Sequence, residues 1–114
     1  MEMIMSILLF LIACTASVET EKEFAAAYAE SQCYAYKQCY RMLFEGEYDG
    51  MLDCEEKIEG NFLEENAAAF EGCSYSASAA EECIVAINEA SCADLWTKEE
   101  EIYQSCHSDI WECP

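Results

Sequence analysis

Apolar residues return every three or four positions through most of this chain, the spacing of a helix with one buried face. From Glu21 to Glu45 the recurrence Ala26, Ala29, Cys33, Tyr36, Tyr40, Leu43 predicts a long first helix, with Cys39 beside the stripe. Gly46 and Asp49-Gly50 mark a turn. A second helix is expected from Met51 to about Phe70, burying Met51, Cys54, Ile58, Phe62 and Ala69, with Gly60 as its weak point and Ala67-Ala68-Ala69 adding propensity. Residues 72–75 break the pattern. Ser76 then stands as N-cap for a third helix to about Ala90, whose inner face is Ala80, Cys83, Ile84, Ile87 and Ala90. Thr97-Lys98-Glu99-Glu100 has the form of a capping box, so a fourth helix is expected from Lys98 to about Ser108, turning Ile102 and Cys106 inward, with Ile110 and Trp111 closing the core. The fold class predicted is all-α: a small disulfide-stapled bundle of about four antiparallel helices spanning 23–114.

The N-terminus reads as an address. Met3 to Ala13 is apolar except for Ser6, the length of a signal-peptide core and too short to cross a bilayer as a helix. It ends Leu11-Ile12-Ala13-Cys14, which resembles the bacterial lipobox. That resemblance implies a signal peptide over 1–13, a lipid on Cys14, and a short polar tether over 14–22 that leaves the domain membrane-anchored at the cell envelope, on the outer membrane or its periplasmic face. Met1-Glu2-Met3 departs from the pattern by lacking Lys and Arg. Ordinary secretion, with cleavage a little later, for instance after Ser17, is the alternative.

Charge narrows the partners. With 24 acidic against 5 basic residues the net charge is −19, which repels phosphate and excludes nucleic acid or a basic-patch attachment to anionic headgroups. Nine cysteines include Cys14; the other eight are an even set in an exported chain and predict four disulfides. No C-x-x-C element exists for a zinc knuckle or a redox dithiol. Antiparallel neighbours place Cys39 and Cys54 at nearly equal distances from the 46–50 turn, predicting Cys39–Cys54, and bring Cys73 near Cys113; Cys33–Cys83 and Cys92–Cys106 complete the expected set.

Tyr75-Ser76-Ala77-Ser78-Ala79-Ala80-Glu81-Glu82-Cys83-Ile84, followed by Ser91-Cys92, resembles a pattern of small Cys-rich helical lipoproteins of myxobacteria and related bacteria. The resemblance extends in layout from Phe24 to Cys106; Ser76 replaces that pattern's Asp and keeps an N-cap. Cys73 and Cys113 are additions to that pattern, consistent with their pairing together. It implies anchoring and fold, and carries no activity.

Candidate chemistry is sparse. His107, the only histidine, follows Cys106, but a Cys–His dyad needs a free thiolate that a disulfide consumes, so an exposed or bridge-packing imidazole is expected. Glu55-Glu56, Glu64-Glu65, Glu81-Glu82 and Glu99-Glu100-Glu101 are adjacent on helices and diverge by about 100°, unlike a glycosidase pair. Asp49-Gly50 lacks the remainder of a calcium loop. The Tyr-rich first helix carries aromatics on more than one face, making Tyr28 and Tyr34 candidates for binding a protein partner. The reading expected is a non-enzymatic envelope lipoprotein serving as a structural or interaction module, with no cofactor, metal or small-molecule substrate indicated. A freely secreted Cys-rich effector or toxin-like protein and an enzyme with an unrecognised site are the alternatives.

Overall fold

The computed structural model describes residues 17–114; the expected signal segment 1–13 and the lipidation position Cys14 lie outside the described residues. Helix α1, Glu21–Cys39, starts where the Thr20 hydroxyl accepts a hydrogen bond from the Glu23 amide at 3.2 Å, with Glu21 and Glu23 complementing the positive helix end. Its periodicity does not carry it to residue 45. At Tyr40 the backbone leaves the helical region (φ −136°, ψ 53°) and a short α2, Arg41–Glu47, takes over in a new phase. Helix α3, Met51–Ala69, follows the expected turn. After it, Gly72 adopts φ 84°, a left-handed conformation that disfavours any side chain, and the chain reverses into β1, Ser74–Tyr75.

Ser76 caps α4, Ala77–Glu89, as expected, accepting from the Ala79 amide at 3.3 Å. The expected fourth helix is preceded by a further short one, α5, Cys92–Thr97, started by a reciprocal capping box of Ser91 and Asp94. Thr97 therefore ends a helix, its hydroxyl donating to the Ala93 carbonyl at 3.0 Å, and α6, Glu99–His107, begins without a side-chain cap. Strand β2, Trp111–Glu112, pairs antiparallel with β1, setting Ser74 opposite Glu112 and Tyr75 opposite Trp111. The described residues thus form a mostly helical, disulfide-stapled fold of six helices and one two-stranded ladder, with α1 packed on α3 and α4, and α4 on α6.

The main core gathers Val18, Phe24, Ala25, Tyr28, Phe62, Ala80, Cys83, Ile87, Cys106 and Ile110. A satellite holds Cys33, Phe44 and Cys54, and partly buried Ile58 packs against both. In α1 the two largest apolar residues near its start, Phe24 and Tyr28, turn inward together, rotating the buried face so that Ala26 is exposed. Past Tyr40 the phase change brings Phe44 in and puts Leu43 outside. On α3 the inner position after Phe62 is Asn66, and Ala69 is exposed. Val18 is buried and its carbonyl accepts from the Tyr75 hydroxyl at 2.6 Å, so the packed chain begins inside the stretch expected to be tether.

Four disulfides close the fold: Cys33–Cys54, Cys39–Cys92, Cys73–Cys113 and Cys83–Cys106. Only Cys73–Cys113 coincides with the expected pairing, joined beside the β1–β2 ladder. The expected Cys39–Cys54, Cys33–Cys83 and Cys92–Cys106 are replaced. Equal distance from the 46–50 turn fails as a guide because the break at Tyr40 and the intervening α2 remove the hairpin symmetry. Cys33 lies on the inner face of α1 and meets Cys54, both fully buried. Cys39, six residues on and about 240° round the helix, points elsewhere and reaches the start of α5. The α4–α6 contact then pairs the inward residues Cys83 and Cys106. Four bridges belong to an oxidising, extracellular or periplasmic environment. Among the described residues no helix is long and apolar enough to cross a membrane.

Candidate functional site

Helices α1, α3, α5 and α6, with the start of α2, enclose an open cleft of about 410 Å³. Its floor is Tyr28, Ala35, Ile58, Ile102 and Cys106, and its walls are Tyr36, Tyr40, Trp96 and Tyr103. The aromatics come from both ends of the sequence and converge because Cys39–Cys92 ties the C-terminus of α1 to the N-terminus of α5, which carries Leu95 and Trp96. Trp96 is 72% and Tyr103 57% exposed, so the far wall presents large apolar surface to solvent. Glu99 is the one charged residue of the lining, and Gln32 adds an amide.

Beneath the cleft runs a polar relay. The Gln32 amide donates to the Tyr28 hydroxyl at 3.3 Å, and that hydroxyl is also hydrogen-bonded to His107 Nε2, 3.1 Å away. Burial pushes the His107 pKa down, with the Glu65 charge opposing in part, and burial raises the Tyr28 pKa; both groups are held neutral near pH 7. His107 stacks on Tyr103 at 4.1 Å and packs against Phe62 at 5.1 Å. It is thus a buried histidine that fixes the Tyr103 wall, and its neighbour Cys106 is bonded to Cys83.

Of the two aromatics singled out from the sequence, Tyr28 is buried, corrected from a partner-facing surface position to the floor of the cleft, where its hydroxyl is committed to the relay. Tyr34 is exposed and lies outside the cleft. The paired carboxylates do not converge. Glu64, Glu65, Glu81, Glu82 and Glu100 are exposed; Glu55 is half-buried, its pKa raised by burial and by Glu30 and Glu59. Among the described residues no group of three or more His, Cys, Asp or Glu side chains could hold a metal ion. Asp49 belongs to a turn: its amide donates to Asp53 Oδ2 at 3.0 Å, and with Lys57 donating to the same oxygen this holds the Asp53 carboxyl below its usual range.

The sequence reading missed Trp96 and Tyr103. A usable signal existed, since Trp96, Glu99 and Tyr103 follow the three-then-four step of one helical face, but α5 was not anticipated as a helix. No family model, no curated protein and no solved structure matches the chain.

Proposed function

We propose that this chain is a non-enzymatic binding module of the cell envelope, exported, anchored through a lipid on Cys14, and rigidified by its bridges so that the aromatic cleft receives a ligand. The observation that carries the reading is the cleft: its volume of about 410 Å³ falls in the range of small-molecule sites, and an apolar lining with a few polar groups is the composition of such sites. The scaffold suits binding. Walls on α1 and α5 are covalently joined by Cys39–Cys92, so little conformational freedom is lost when a ligand enters. The polar groups nearest the floor are paired with one another.

Two experiments test the halves of this reading. Screening the oxidised mature protein by NMR against a library of small organic compounds should give shift changes clustered at Trp96, Tyr103 and Leu43; a library that perturbs no cleft residue refutes the binding role. Metabolic palmitate labelling should mark the wild type, and Cys14→Ser should release it into the medium. Unlabelled, freely released wild type moves the protein to the secreted class.

A further inference from the structure

The geometry points to a small organic cation, a quaternary or alkylated ammonium on an apolar body, as the ligand of the cleft formed by Tyr28, Tyr36, Tyr40, Trp96, Tyr103 and Glu99. The inference rests on the binding role proposed above and names its ligand class. Five aromatic side chains surround the space, and an aromatic face carries negative quadrupolar potential that attracts a cation within about 6 Å of the ring centroid, most strongly for Trp and Tyr. A neutral apolar ligand would be served as well by aliphatic walls. Here Leu43 and Leu95 contribute to the rim, but tyrosine and tryptophan supply most of its large side chains, with a carboxylate among them.

Charge complementarity points the same way. Neither Lys nor Arg lines the cleft. Of the chain's five basic residues, Arg41 is paired with Glu45 and Lys57 with Asp53, so neither is free to fill the cleft in place of a ligand. The net charge of −19 raises the local concentration of cations and disfavours anionic ligands. Glu99 supplies the only formal charge in the lining. Buried Tyr28 cannot offer its hydroxyl, which is committed to His107, so the recognition is by ring faces and one carboxylate rather than by a hydrogen-bond pattern. That favours an ammonium whose nitrogen is shielded by alkyl groups over a primary amine that needs three acceptors.

The test compares choline with its neutral isostere, in which a quaternary carbon replaces the nitrogen, by titrating the intact oxidised protein and following the Trp96 indole resonance. Choline should bind at least ~10-fold more tightly, the preference that a partly desolvated cation–aromatic contact supplies. Trp96→Leu keeps an apolar wall at an exposed position and should abolish the preference, and Glu99→Gln should reduce it several-fold while leaving the isostere unchanged. Equal binding of the two probes, or cleft shifts from neutral library members with none from choline, overturns the cation assignment and leaves the binding role standing. Silence from every probe and every library member overturns both. Response to a lysine-rich peptide alone overturns the small-molecule assignment.

Discussion

Replacing Cys39 and Cys92 together by Ala isolates the energetic work of one bridge. Cys39 is half-buried and Cys92 exposed, so the double variant empties no core, unlike removal of the fully buried Cys33–Cys54 or Cys83–Cys106. Its cost comes from the unfolded chain, which regains the freedom of a loop spanning 53 residues. The chain-entropy relation for a loop of that length gives roughly 4 kcal/mol at room temperature, a large share of the ~5–15 kcal/mol that holds a typical domain together. At about 4–8 °C per kcal/mol for a domain of this size, Tm should fall by roughly 15–30 °C. Urea unfolding followed by far-UV circular dichroism measures both consequences: a lower midpoint, and a steeper slope because the uncrosslinked unfolded state exposes more surface. A loss under about 1 kcal/mol with an unchanged slope would refute the reasoning, since it would mean that residues 39 and 92 are not covalently joined.

Phe62→Ala should cost about 3–5 kcal/mol in denaturant unfolding, because the ring packs against Phe24 at 5.3 Å, Tyr28 at 4.9 Å and His107 at 5.1 Å. Asn66→Leu should stabilise by about 1 kcal/mol, read as a raised midpoint, since the buried Asn66 Nδ2 has no acceptor among the described residues. His107 has a folded pKa below its ordinary 6.5, so the unfolded chain binds the proton more readily; stability should be full above pH 6.5 and decline as pH falls through the folded value. Thermal melts between about pH 7.5 and 5.5, above the range where most carboxylates titrate, should show that decline, and His107→Gln should flatten it. Tyr75→Phe removes the hydrogen bond to the Val18 carbonyl and should cost about 1 kcal/mol, with faster amide exchange in residues 18–20 as the readout.

Helix content was legible wherever an apolar stripe was long and a cap was local. Ser76 and the face Ala80, Cys83 and Ile87 needed nothing beyond α4 itself. The break at Tyr40 was not legible, because no Gly or Pro marks it and residues on either side continue a three-four recurrence. That one missed break moved Leu43 outward, brought Phe44 inward and misdirected three disulfide assignments. The information that Cys33 lies on the stripe and Cys39 beside it was already present, and it separates their partners once helix phase is given more weight than distance from a turn. The candidate site was less legible than the fold. Its walls belong to α1 and to α5–α6, and their meeting is a property of tertiary closure that local periodicity does not encode. Tyr28 shows the converse limit: a tyrosine on a helix with aromatics on more than one face looked available for a partner, yet the only histidine, far along the chain, pairs with its hydroxyl.

The hydrogen bond from Tyr75 to the Val18 carbonyl also sets a leash. With Val18 fastened to the domain, only residues 15–17 separate it from Cys14, and four fully stretched steps reach roughly 14 Å, about half the ~28 Å length of a 19-residue helix. A domain acylated at Cys14 would therefore ride directly against the headgroups with the N-terminal end of α1 downward, unable to roll over. An anionic leaflet would repel a domain of net charge −19 held that close to it, so membrane composition itself would set how hard the short leash is pulled.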